Sequence, residues 1–366
     1  MPFRSKTYIT ITILFIGILA FGQSNGNINA EITSYLNDLD SKDFSGTILV
    51  AQNDTIIEER AYGFSNIEYK VPNKIDTKFN LASITKLFTA VATMQLYEQG
   101  KLKLKTPVGE YLPDYPNKLV RDSVTVHQLL THTSGLNNFY VSDEDKINPS
   151  KYKKVSDFVP LFVNDTLLSK PGTKYDYSAS GFVMLGLIIE KVSGENYYEY
   201  VKNHIFKHAK MPNTTELEVD SIVQNKASGY TSMFGENIIL KKNDYYLTKA
   251  SPAGFHYSTL SDLFNLSKAL RNYKLLKKET TELMFEPKVK GYNTHLGYGI
   301  DVDQRYNQTI LGNSGGWYGI HTELMHFVKD NYTVIILSNI DDGGKKGAAK
   351  VTDFFKELIA DKQPEE

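Results

Sequence analysis

Apolar residues gather into short runs and alternations at the two ends of the chain, and recur at helical spacing between them. Asn29 to Leu39 has the periodicity of an amphipathic helix. It is followed by Gly46 to Ala51, a turn at Gln52-Asn53-Asp54, and Thr55 to Gly63, the signature of a β-hairpin. Far along the chain, Leu296 to Val302, Thr309 to Leu311, Ile320 to Val328 and Tyr332 to Ser338 read as short strands, and Ala348 to Ile359 as a terminal helix. Leu87, Ala90, Val91, Met94 and Tyr97 recur at helical spacing, with Gly100 as the stop signal. If both end blocks share one sheet, the pattern predicts an α/β (α+β) fold: an antiparallel β-sheet flanked by N- and C-terminal helices, plus a mainly helical lobe. The sheet lobe then takes residues of about 23–90 and 291–366, the helical lobe about 91–290, and the crevice between them is the expected site.

The first residues change the picture of where this fold works. Arg4 and Lys6 precede an apolar run from Tyr8 to Phe21, and Ala20-Phe21-Gly22 places small residues where a signal peptidase cuts. Residues 1–22 are therefore expected to be a signal peptide, with a periplasmic or secreted catalytic domain over 23–366. The run of 14 residues is shorter than the roughly 20 a spanning helix needs, so no integral membrane segment is expected in the mature chain. The absence of cysteine removes disulfides, thiol catalysis and thiolate metal sites, leaving stability to a packed core. Taking Arg4 and Lys6 from the 41 basic residues leaves 39 against 42 acidic, a formal charge of −3 that favours neither nucleic acid nor an anionic surface as partner.

Candidate chemistry centres on Ser83-Ile84-Thr85-Lys86, at the start of the helical pattern. Residues three apart share a helix face, so the Lys86 amine can take the proton of the Ser83 hydroxyl, provided that the amine is neutral. Burial and the positive end of the helix dipole both push its pKa downward. The same helix start offers backbone N–H groups to an oxyanion. Three other motifs compete. Gly312-Asn313-Ser314-Gly315-Gly316 fits Gly-x-Ser-x-Gly, but the chain after Ser314 is strand-like, and His321 and His326 come too soon for that arrangement. His204 and His208 have metal-pair spacing without the glutamate or a third ligand, and Gly343 to Gly347 shares only the composition of a phosphate loop. No metal or organic cofactor is expected.

From about Phe44 to its end, the chain resembles the serine β-lactamase and penicillin-binding-protein superfamily, in particular its class C-like branch of esterases, D-aminopeptidases and D,D-peptidases. The resemblance rests on Ser83 and Lys86, the segment Val126 to Leu136 with Thr131-His132-Thr133-Ser134-Gly135, then Pro171-Gly172-Thr173-Lys174-Tyr175-Asp176-Tyr177-Ser178, and Ser251-Pro252-Ala253-Gly254, in that order. It implies that Tyr177 shuttles protons between serine, lysine and leaving group, that Tyr175 packs, that His132 is structural, and that the Gly316 N–H joins that of Ser83 in the oxyanion hole. It also implies substrate contacts at Asn313, Ser314, Gly315 and position 179. Two positions depart from the family pattern. Ala179 stands where an asparagine normally holds substrate amides, and Asn313 where Lys-Thr-Gly or His-x-Gly begins.

Both departures weaken binding of a substrate with an amide side chain and a carboxylate, and leave the acyl-transfer machinery in place. The expected function is an exported serine hydrolase that forms an acyl-enzyme with an ester, a D-amino-acid peptide or a related amide, with weak or no β-lactam turnover. Its partner is a small molecule or short peptide, cell-wall fragments among them. The alternative is a catalytically impaired homologue that binds cell-wall fragments or a protein, although pure binding has no use for Ser83, Lys86 and Tyr177 together.

Overall fold

A computed structural model describes residues 28–142, 151–216, 218, 220–232, 240–244, 247–341 and 347–360. The expected signal segment and the turn at 343–346 lie outside the described residues. Helix α1 (residues 28–38) leads into β1 (Gly46–Gln52) and β2 (Thr55–Tyr62), whose hairpin turn sets Asn53 and Asp54 at φ of 50° and 61°. Positive φ at both central positions matches a type I′ turn, which Asn and Asp tolerate. The chain then passes through β3 (Phe79–Asn80), α2 (Thr85–Glu98), α3 (Ala179–Ser193), β4 (Tyr257–Ser258) and α4 (Leu260–Arg271). It ends with β5 (Val289–Lys290), β6 (His295–Leu296), β7 (Asp301–Asp303), β8 (Ile310–Trp317), β9 (Ile320–Phe327), β10 (Tyr332–Ser338) and α5 (Ala348–Ala360).

Eight of these strands form one antiparallel sheet in the order β2-β1-β10-β9-β8-β7-β6-β5. The two ends of the chain meet in its middle, where β1 pairs with β10 from Gly46↔Ser338 to Gln52↔Tyr332. Strands covered on both faces should read as continuous apolar runs, and these do. Leu49, Ala51, Ile335 and Leu337 face the large core shared with α2 and α4. Ile48, Val50, Val334 and Ile336 face the opposite way, against Ile32 and Leu36 of α1 and Val351, Phe355 and Ile359 of α5.

Two strand boundaries differ from the sequence pattern. The run Leu296 to Val302 is not one strand: Gly297 to Ile300 turns back, with Gly299 at φ 66°, and β6 pairs with β7. Conversely, β8 continues past Leu311 through three glycines to Trp317. Those glycines have little strand propensity, and the register with β9 from Ile310↔Phe327 to Trp317↔Ile320 supplies the hydrogen bonding that local sequence does not. Helix α2 is buried on almost every side, Thr85 to Met94 without a break, so the helix that follows Ser83 is a buried spine packed against α3.

Candidate active site

Ser83 sits in a short 3₁₀ turn, Ala82–Ile84, that runs directly into α2. The residue before it, Ala82, is held at φ 42°, a left-handed backbone that a residue with a Cβ avoids. Such a residue persists only where its surroundings over-determine it. Here the Leu81 N–H donates to the His256 carbonyl (2.8 Å), the Ala82 N–H to Asn80 Oδ1 (2.9 Å), and the Phe255 N–H to the Ala82 carbonyl (3.2 Å). The pairing of β3 with β4 fixes the flank before this turn, and the His256 N–H donates to Thr85 Oγ1 (3.2 Å) on the flank after it. The segment Phe255 to Ser258 thus clamps the Ser83 turn.

Three side chains converge. Lys86 Nζ lies 3.0 Å from Ser83 Oγ and donates to the Ala253 carbonyl at 2.5 Å, while Tyr177 Oη lies 2.7 Å from Ser83 Oγ. Lys86 is only 4 % exposed. Burial lowers its pKa to about 7, so much of the amine is neutral at physiological pH. Tyr177 moves the other way, pushed up to about 12 by burial and by the nearby Asp301, against the Ser83 hydrogen bond that lowers it. The site therefore holds a neutral amine that can accept a proton beside a phenol that can donate one.

His132 lies against this group without joining it. Its ring stacks on that of Tyr177 (centroids 4.5 Å apart, planes at 29°), and its Nδ1 accepts the Ser178 N–H at 3.1 Å. Burial and Lys86 depress its pKa to about 3, so the ring stays neutral and holds the Tyr177 segment in place. Ser178 caps α3 by accepting the Gly181 N–H, which ties Tyr177 to a helix N-terminus.

The opposite wall is the edge of β8. Strand β7 pairs with β8 only from Ile310 to Gly312, and beyond it Asn313, Ser314, Gly316 and Trp317 border a cavity of about 400 Å³ together with Ser83, Lys86, Tyr177 and Ala179. A Cβ at Gly316 would meet nothing within 4 Å, so this position leaves the cavity open. Gly315 differs from the sequence expectation of a substrate contact, because it does not line the cavity. A Cβ there would come 2.2 Å from the Leu81 carbonyl and 3.1 Å from the Ser83 nitrogen, so the missing side chain lets β8 approach the Ser83 turn. Gly315→Ala is expected to push the strand from that turn and lower kcat/KM for an ester about a hundredfold, the magnitude of a misplaced oxyanion donor, while the far-ultraviolet circular dichroism spectrum stays unchanged. Unaltered kcat/KM would show that the approach is immaterial.

The rival motifs fall away on geometry. Ser314 stands in mid-strand on β8, and β9 follows it rather than a helix. His204 pairs with Glu195 (2.9 Å) and His208 with the Asn203 carbonyl (3.0 Å), and no cluster of three ligating side chains occurs among the described residues. Tyr175 packs edge-on against Tyr292 (4.9 Å, 86°) and also reaches the cavity wall. Sequence reasoning missed Asp301, Asn138, Tyr140 and Trp317, all of which line the cavity. Asp301 was hidden inside an apparent strand, and only Gly297 and Gly299 signalled the turn that brings it there.

Comparison with known proteins agrees with this fold. The chain is 30 % identical over 315 residues to penicillin-binding protein 4* of Bacillus subtilis, covering 82 % of this chain and 69 % of that one. A penicillin-binding protein structure from Bacillus halodurans superposes with a TM-score of 0.78 at 31 % identity, over 86 % of this chain and 96 % of the other. A D-amino acid amidase from Ochrobactrum anthropi, in complex with L-phenylalanine amide, shares the fold with a TM-score of 0.76 at 21 % identity, over 91 % and 97 %. The family model Beta-lactamase matches residues 37–353, and the chain belongs to that family, within the serine β-lactamase and transpeptidase superfamily.

Proposed function

We propose that this serine hydrolase uses Ser83 as its nucleophile, Lys86 and Tyr177 as a coupled proton-transfer pair, and the N–H groups of Ser83 and Gly316 as its oxyanion hole. The observation that carries this is the convergence of Lys86 Nζ and Tyr177 Oη on Ser83 Oγ, at 3.0 and 2.7 Å, with the amine buried. As Ser83 Oγ bonds to the substrate carbonyl carbon, its proton passes to the neutral Lys86 amine and the carbonyl electrons move onto oxygen. Collapse of the tetrahedral intermediate breaks the bond to the leaving group, which takes the Tyr177 proton. The Lys86 ammonium restores that proton. Water then repeats the sequence on the acyl-enzyme, giving the acid and free Ser83. Both groups meet the same Ser83 Oγ, so the proton is relayed through the pair.

The substrate class is an ester, a D-amino-acid peptide or a related amide. In support, the amidase neighbour holds an amino acid amide. Two features argue against penicillins and cephalosporins as good substrates. Ala179 presents a methyl group to the cavity, and the Asn313 amide is held by the Gly299 carbonyl at 2.9 Å, so neither offers a cation, and Ala179 offers no carboxamide. Purified protein is expected to turn over a short-chain p-nitrophenyl ester in a Ser83-dependent manner and to leave a chromogenic cephalosporin nearly intact. Efficient cephalosporin hydrolysis would overturn the substrate assignment.

A further inference from the structure

Of the side chains lining the Ser83 cavity, only Lys86 and Asp301 are ionisable to full charges near neutral pH, and Lys86 is engaged by Ser83 and Ala253. The Asp301 carboxyl group receives no hydrogen bond or ion pair from any other described residue. Arg305, which borders the adjoining crevice, is held by Asp303 at 2.7 Å, and Lys356 borders the same crevice without pairing with Asp301. Asp301 lies beside Gly312 in the β7–β8 register, where no side chain on β8 shields it.

Asn313, next to Gly312, stands by its register with Leu324 on the sheet face opposite Asp301. Its amide nitrogen donates to the Gly299 carbonyl, which fixes the carboxamide and leaves Oδ1 buried with no donor among the described residues. A buried acceptor without a donor is destabilising in the free protein, as is a carboxylate without a counter-charge. Tyr175, Leu296, Asp301, Asn313 and Ser314 are shared by the cavity and the adjoining crevice, so Asp301 stands where the two spaces join. Glu323 borders that crevice as well and adds to the negative potential at Asp301, which Lys356 only partly offsets.

We infer that Asp301 forms a subsite for a protonated amine of the substrate, so that the enzyme prefers ammonium-bearing esters and amides to neutral ones and disfavours carboxylate-bearing ones. An ammonium supplies N–H donors and the missing positive charge to the Asp301 carboxylate. The inference rests on Ser83 as nucleophile. Burial, Glu323 and Asp303 hold the Asp301 pKa near 7 against the lowering effect of Lys356, and its charge also reaches Tyr175 and Tyr177. A bound ammonium therefore also favours the ionised carboxylate.

The test compares isosteric esters that differ in one group. On the acyl side these are the 4-nitrophenyl esters of 3-aminopropanoate, butyrate and succinate, and on the leaving side 2-aminoethyl and propyl acetate. Wild type is expected to favour the ammonium member of one pair by about ten- to a hundredfold in kcat/KM, mainly through KM, and to disfavour the succinate. In Asp301→Asn the ratio of ammonium to neutral ester should fall to near one. A purely structural role for Asp301 would lower both members together and leave the ratio unchanged. n-Butylammonium should inhibit wild type competitively where butyrate does not, a measurement that needs no variant. Absence of ammonium preference in both pairs, or a preference that survives Asp301→Asn, overturns the subsite while Ser83-dependent turnover leaves the nucleophile assignment standing. Equal ester turnover by wild type and Ser83→Ala overturns the nucleophile assignment itself, and the subsite with it.

Discussion

Ser83→Ala is expected to bring hydrolysis of a p-nitrophenyl ester down to the level of buffer, a loss of about 10⁴-fold or more. The expectation is this large because Lys86 and Tyr177 have no other hydroxyl to serve: both meet at Ser83 Oγ. Water in its place would be neither aligned by the clamped turn nor covalently captured. Removing Oγ leaves the backbone untouched, since the turn is held through Leu81, Ala82 and Phe255, so the melting temperature should shift little. A fluorophosphonate should add its mass once to wild type and not to the variant. If wild type is itself inert and unlabelled, the protein is a binding homologue and the intact proton-transfer geometry is a relic.

The sequence made some of this arrangement visible because local rules governed it. The hairpin showed in Asn53-Asp54, and the two-faced burial of β1 and β10 showed as unbroken apolar runs. Ser83 and Lys86 showed because a helix face brings residues three apart together. What stayed hidden depends on contacts between distant segments. The extension of β8 to Trp317 relies on register with β9, and Asp301 reaches the cavity only because Gly299 turns the chain between β6 and β7. Gly315 was expected as a substrate contact from the family resemblance, and a matched motif does not distinguish a glycine that admits a ligand from one that admits a neighbouring turn. The strain at Ala82 has no sequence signature, since an alanine there gives no hint of a positive φ.

Lys86→Met is expected to remove activity and stabilise the fold. Methionine matches the length of the lysine stem and needs no solvation, whereas the wild-type amine is held at a pKa of about 7 inside the core. Each unit of displacement from the ordinary lysine value corresponds to roughly 1.4 kcal/mol. The variant recovers part of that, less the hydrogen bonds to Ser83 and Ala253, for a net gain on the order of 1–3 kcal/mol at neutral pH. The sign of the pH dependence is fixed. Between about pH 7 and the ordinary lysine pKa the unfolded chain binds a proton that the folded one does not, so wild-type stability rises with pH across that window. The gap in melting temperature between variant and wild type should thus be widest at or below pH 7 and narrow toward pH 10. Activity moves the other way: without the amine, acylation should fall by about 10²- to 10⁴-fold, and the wild-type kcat/KM should decline below pH 7 as Lys86 is protonated. Asp301 titrates in the same region, so the decline belongs to Lys86 only if it persists in Asp301→Asn with a neutral ester. A Lys86→Met protein that is both less stable at pH 7 and nearly as active as wild type would place the base elsewhere. The combination of lost rate and gained stability would show that the buried amine is maintained for its chemistry against a continuing conformational cost.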